Sequence, residues 1–333
     1  MVLFLALLAG ALWLPFYLAP VRPFLSNWRA GGLSGIYSAQ LDATPAPQPA
    51  PGLSALEGYN QGSALQESVA DQRVRYYRRN LAGGGTIAYF VVLLDKQVHI
   101  EVVNADGATP GSDATGDTIW RDGRRHLRTV EEIARAPYAA RDKLTLVGAM
   151  AFGFHGDVRT SDEGTVVING RVLRVNLGRA ALCITSGGQA QIGLFDAAAL
   201  RQCEQANGAG PVILWQGKIA NPDVSAETDA FIPFNPLSED VVRIDWRKKV
   251  YSGTYPKSAV GIGTRDDGGS YLVLIVSDGV TGVELARQLK AMGCTDALGG
   301  DDDSSTQAVW RGVRVRPAAA SPVPDALAVY VRQ

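Results

Sequence analysis

Net charge of either sign is what this 333-residue chain lacks first. Its 32 Lys and Arg against 33 Asp and Glu leave a formal charge of −1. No net field exists to hold a polyanion, which argues against nucleic acid as a partner. Cysteine is scarce, and three of them cannot all pair. Cys183 and Cys203 are close enough in sequence to close a modest loop in an oxidising compartment with Cys294 left as a buried thiol, or all three are reduced core residues. Histidine is equally sparse, with His99, His126 and His155 scattered along the chain. There is no G-x-x-x-x-G-K-[ST] phosphate loop, no G-x-S-x-G elbow, no H-E-x-x-H and no C-x-x-C. Kinase-like, lipase-like and zinc-protease readings therefore lack their local mechanics.

What the chain does have is glycine, valine and frequent turn residues, with 46% apolar residues for a core. This composition predicts an α+β fold, a β-rich mixed-sheet domain with a few packed helices. Regular structure is expected to start at Thr86, with Thr86–Leu94 and Gln97–Val103 as a hairpin around Asp95-Lys96. Asn169-Gly170 marks a second hairpin between Thr165–Ile168 and Arg171–Val175. Ala259–Thr264 and Ser270–Val276 form a third pair, and Ala308–Val315 and Ala326–Val331 close the domain. Thr129 and Thr281 each precede a Glu by three residues, the capping-box spacing. The first predicts a short helix ending before Pro137. The second opens a longer one with Val283, Ala286, Leu289 and Met292 on one face and Gly293 as its stop.

The N-terminal stretch, residues 1–20, carries no charged side chain and is about the length needed to cross a hydrocarbon layer. It reads as a membrane anchor or a signal segment, through which the chain would meet a membrane. Arg22 and Arg29 follow it with no basic residue before it, which by the positive-inside rule favours a cytoplasmic body. Residues 21–72 read as a linker that includes a Pro/Ala-rich spacer, and 73–333 as the folded domain. Arg73, Arg75, Arg78 and Arg79 form a basic cluster, a solvated face or a contact for anionic groups.

The most unusual local feature is the acidic loop Gly299–Thr306. Three adjacent carboxylates repel unless they are solvated, hold a cation, or keep one proton, so Asp301, Asp302 and Asp303 are candidate metal ligands. Ordinary turn chemistry explains the same residues. No cofactor is required, and a divalent cation is compatible with the run. His155, at the end of an apolar strand, could titrate near neutral pH.

Several segments, in order, resemble the phosphodiester glycosidase family over roughly Thr86 to Arg332. They are Met150–His155, Val167–Arg171, Gly210–Leu214 with Gly217-Lys218, Tyr255–Ile262, Glu284–Ala286 and Met292–Gln307. The resemblance implies cleavage of the bond between a sugar's anomeric carbon and a phosphodiester, which needs a cation for the phosphate and a carboxyl near the anomeric carbon. Carried over residue by residue, it implies catalytic roles for Asp301, His155 and Lys257. Gly153, Phe154, Ser258, Asp278, Ser304, Ser305 and Thr306 would contact the glycan or sugar-phosphate substrate. The family's motif asparagine is Ala151 here, its arginine is Lys257, and its two glycines after the aspartate are Asp302 and Asp303. The expected function is a hydrolase of a sugar-1-phosphodiester in an envelope or extracellular glycan, membrane-anchored toward the periplasm or outside, or secreted. The alternative is a weakened homologue that binds envelope glycans or anionic polymers without cleaving them.

Overall fold

A computed structural model describes residues 52–105, 107, 127–153, 164–240, 250–316 and 320–333. The expected anchor, and the site candidates Phe154 and His155, lie outside the described residues. Among the described residues no helix is long and apolar enough to cross a membrane.

The turn signals act where the backbone needs them. Asn169 and Gly170 take φ of 49° and 74° and join β6 (Val166–Ile168) to β7 (Arg171–Arg174), both central residues left-handed as a tight hairpin turn requires. Thr129 and Glu132 form the reciprocal capping box of α2 (Val130–Arg135). Thr281 accepts the Glu284 N–H at 3.0 Å and starts α3 (Gly282–Ala291), a contact worth about 1 kcal/mol. Leu285, Ala286 and Leu289 form the buried stripe of α3.

Nineteen strands among the described residues form three sheets. The largest has nine strands. Its order is β1 (Ala64–Val69), β2 (Val74–Asn80), β3 (Thr86–Leu93), β15 (Ser270–Val280), β14 (Tyr255–Thr264), β16 (Asp296–Asp302), β11 (Val212–Trp215), β12 (Lys218–Asn221) and β13 (Phe231–Pro233). Only β12 and β13 run parallel in it, so the sheet is mixed, as the sequence predicts. The second sheet places β10 (Gln205–Gly208) between β6 and β8 (Ala181–Ile184), with β7 and β9 (Ala190–Gly193) at its edges. The third has the order β18 (Val313–Arg314), β17 (Ala308–Trp310), β5 (Leu144–Met150), β19 (Asp325–Arg332) and β4 (Val98–Asn104).

One core joins all three sheets, with Phe90, Val260 and Leu274 from the first, Val166 and Leu182 from the second, and Met150 and Leu327 from the third. The opposite face of the nine-stranded sheet is covered by α3 and by α1 (Gly52–Asn60), through Leu289, Leu285 and Leu56. Each such buried leucine contributes about 1.5–3 kcal/mol. Val130 and Ile133 of α2 cover the outer face of the third sheet.

Three expectations need correction. Regular structure begins before Thr86, because α1, β1 and β2 belong to the main layer, so part of the expected linker is folded. β3 and β4 do not form a hairpin; β3 pairs with β2 and β15, whereas β4 pairs with β19 in another sheet. The Asp95 carboxylate accepts the N–H groups of Gln97 and Val98 at 2.7 and 3.1 Å, which turns the chain from one sheet to the other. The arginine cluster is not a uniformly solvated face. Arg75 is buried and pairs with Glu57 at 2.7 Å, and Arg79 lies 4.1 Å from the Tyr59 ring centroid, so both fasten α1 to β2. Cys183 and Cys203 form a disulfide between β8 and the segment before β10, and Cys294 is a buried free thiol.

Candidate active site

Lys257 sits between two β-bulges. On one side β14 pairs Tyr255 with Val280 and Lys257 with Ser277; on the other it pairs Lys257 with Asp302 and Ala259 with Gly299. Each neighbouring strand thus carries one extra residue beside Lys257, and such bulges re-aim side chains. Asp278 lies within the first and Asp301 within the second.

The Lys257 side chain is buried, its Nζ lies 3.1 Å from the Tyr255 ring centroid, and it has no hydrogen-bond partner among the described residues. Burial pushes its ammonium down to about 8, against the opposing pull of the Asp302 and Asp303 carboxylates. Tyr255 donates its hydroxyl to Asp302 Oδ2 at 3.2 Å. A tyrosine, an ammonium and a carboxylate therefore stand together at the end of β14.

Asp301 is buried and tied to two other segments. Its N–H donates to the Phe152 carbonyl at 3.0 Å, and its own carbonyl accepts the Ser258 hydroxyl at 2.6 Å. Its Oδ1 accepts the Asp302 N–H at 3.0 Å. Gly300 permits this approach, because a Cβ there would collide with Ser258 Oγ and the Phe152 ring. The segment at Phe152–Gly153, the β14 end and the acidic end of β16, far apart in sequence, thus meet in one place.

Two residues without a sequence motif complete the junction. Asp325, at the head of β19, accepts the Gly153 N–H at 3.1 Å and the Asn207 side-chain amide at 2.9 Å, both on Oδ1. Asp325 and Asn207 are both buried. Asp325 opens the otherwise apolar run Ala326–Val331, and an acid at the head of a fully buried strand was the signal available.

The remaining candidates are spread around this centre. Thr306 is buried with no hydrogen-bond partner for its Oγ1 among the described residues, and its carbonyl accepts from Arg316, which also pairs with the half-exposed Asp278. Ser305 is buried, whereas Ser304 is exposed and bonded to Ser321. The three aspartates do not converge: Asp301 caps its own neighbour, Asp302 faces Tyr255, and Asp303 is exposed in a turn at φ 57°. Among the described residues no group of three or more His, Cys, Asp or Glu side chains is placed to hold a metal ion.

The fold has relatives among solved structures. It is similar to a hypothetical protein from Synechocystis (TM-score 0.54, 14% identity), covering 78% of this chain and 62% of that one. It is also similar to the zebrafish N-acetylglucosamine-1-phosphodiester alpha-N-acetylglucosaminidase catalytic domain, auto-inhibited by its pro-peptide (TM-score 0.51, 16% identity), covering 81% of this chain and 86% of that one. No curated protein sequence matches the chain. A family profile described as phosphodiester glycosidase matches residues 145–330, more than half of the chain and the stretch that supplies Gly153, Lys257, Asp301 and Asp325. The chain belongs to the phosphodiester glycosidase family.

Proposed function

We propose that the chain hydrolyses the bond between the anomeric carbon of a sugar and a phosphodiester, releasing free sugar and a phosphomonoester. One observation carries this reading: a buried ammonium, Lys257 Nζ, has no hydrogen-bond acceptor among the described residues, and Lys257 stands beside the strand end that bears Asp301. Burying an unsatisfied cation is costly, and an incoming phosphate oxygen would offset that cost. The Asp301 carboxyl would then face the anomeric carbon, where a carboxylate stabilises oxocarbenium-like charge. Water adds to that carbon as the carbon–oxygen bond breaks, and the phosphate leaves with the electron pair. A phosphomonoester has its second pKa near 6, so it leaves at neutral pH with little help from a general acid. His155, two residues beyond Gly153 in the chain, is a second catalytic candidate in this reading.

Asp302 adds negative charge near the phosphate, but its engagement with Tyr255 turns that carboxylate to a protein partner. In this reading the substrate would belong to an envelope or extracellular glycan, and the protein would be anchored through residues 1–20 toward the periplasm or outside, or secreted. The Cys183–Cys203 disulfide supports an oxidising compartment.

The test is turnover of a synthetic N-acetylhexosamine-1-phosphate methyl diester by the full chain, with sugar and methyl phosphate both quantified. Equal release of the two, abolished in Asp301→Asn, is expected. Saturable binding with no turnover would contradict the reading.

A further inference from the structure

One peptide unit is the meeting point of all three sheets. The carbonyl of the Phe152–Gly153 peptide accepts the Asp301 N–H from the nine-stranded sheet at 3.0 Å. Its N–H donates to Asp325, from the third sheet, at 3.1 Å. Asp325 is in turn held at 2.9 Å by Asn207 of the second sheet. The two polar groups of a planar peptide point to opposite sides, so fixing its N–H fixes the direction of its carbonyl. A Cβ on Gly153 would collide with both Asp325 carboxylate oxygens and with Asn207 Oδ1, so glycine alone allows this approach.

We propose that Asp325 and Asn207 are a positioning pair that clamps the Phe152–Gly153 peptide and thereby holds Asp301 in its reactive place. The proposal rests on Asp301 being the reactive carboxyl. Asp325 acts on Asp301 through this peptide, as the acceptor of the Gly153 N–H. Without it the Gly153 N–H and the Asn207 amide lose their common acceptor, the peptide is free to rotate, and the Asp301 N–H loses a fixed partner. A displacement of about 1 Å at a reacting group costs on the order of 100-fold in rate.

The experiment compares Asp325→Ala, Asp325→Asn and Asn207→Ala in the full chain, by diester turnover and by deuterium exchange at the Gly153 and Asp301 amides. An amide oxygen has two lone pairs and can accept both N–H groups that Asp325 Oδ1 accepts. Asp325→Ala is expected to lower kcat about 10- to 100-fold with KM little changed, while Asp325→Asn recovers most of kcat and keeps the wild-type pH profile. Asn207→Ala, which leaves the carboxylate in place, gives a smaller loss in the same direction, and serves if Asp325→Ala does not fold. The Gly153 and Asp301 amides should speed up together in Asp325→Ala and slow again in Asp325→Asn. Faster exchange at Gly153 alone, an Asn variant as inactive as Asp301→Asn, or unchanged kcat in Asp325→Ala would each overturn the proposal. Coupled exchange in a protein whose wild type does not cleave the diester would sink the functional reading and leave the clamp standing.

Discussion

At the scale of single residues, the proposed role of Lys257 carries a pH dependence. Its ammonium is pushed down to about 8 by burial, so it is charged at neutral pH and loses its proton just above. If the charged form meets the phosphate, kcat/KM falls as pH rises through about 8. Lys257→Arg, whose cation does not titrate in this range, should remove that alkaline limb; a limb that persists in the Arg variant would assign it to another group. The sign for stability is opposite. The unfolded lysine, near 10.5, binds more protons than the folded one between about 8 and 10.5, so this residue's contribution to stability rises with pH across that window. Motif order picked out Lys257 and Asp301 in the sequence, and the structure brings the two strand segments that carry them side by side. Asp325 and Asn207 were not legible there, since neither belongs to a motif and their shared contact exists only once two sheets face each other.

At the scale of elements, local chemistry and two of the adjacent strand pairs were readable, and pairing between distant segments was not. The Thr129 and Thr281 caps and the Asn169-Gly170 turn depend on residues within four positions of each other, and the structure forms all three. The supposed hairpin at Asp95-Lys96 failed because the same turn residues serve equally to pass the chain between sheets. α1 and β2 were hidden by their charges, which the Arg75–Glu57 pair and the Arg79–Tyr59 contact turn inward. The bulges beside Lys257 left no sequence signal, yet they aim the site. Gly300→Ala tests the β16 bulge directly. The added methyl meets Ser258 and Phe152, and overpacking of this kind costs about 1–3 kcal/mol. Equilibrium denaturation should show that loss together with reduced turnover; wild-type values for both would mean the strand end yields freely.

At the scale of the whole molecule, the candidate site is a seam between sheets, so what ties the sheets together also holds its residues in place. The second sheet contributes Asn207, and the Cys183–Cys203 disulfide, with a sequence separation of 20, fastens its β8 to the approach to β10. Closing a loop of that size stabilises by about 3 kcal/mol. Cys183→Ser with Cys203→Ser should lower unfolding free energy by that order, read by urea denaturation, and a double variant as stable as wild type would count against it.

The central claim is that the bond broken lies between the anomeric carbon and the phosphate oxygen. Hydrolysis of the diester in ¹⁸O-water reads this out. The label is predicted in the anomeric hydroxyl of the released sugar, with none in the phosphomonoester. Label in the phosphate would place the attack at phosphorus and contradict the roles of Lys257 as phosphate contact and Asp301 as the carboxyl at the anomeric carbon.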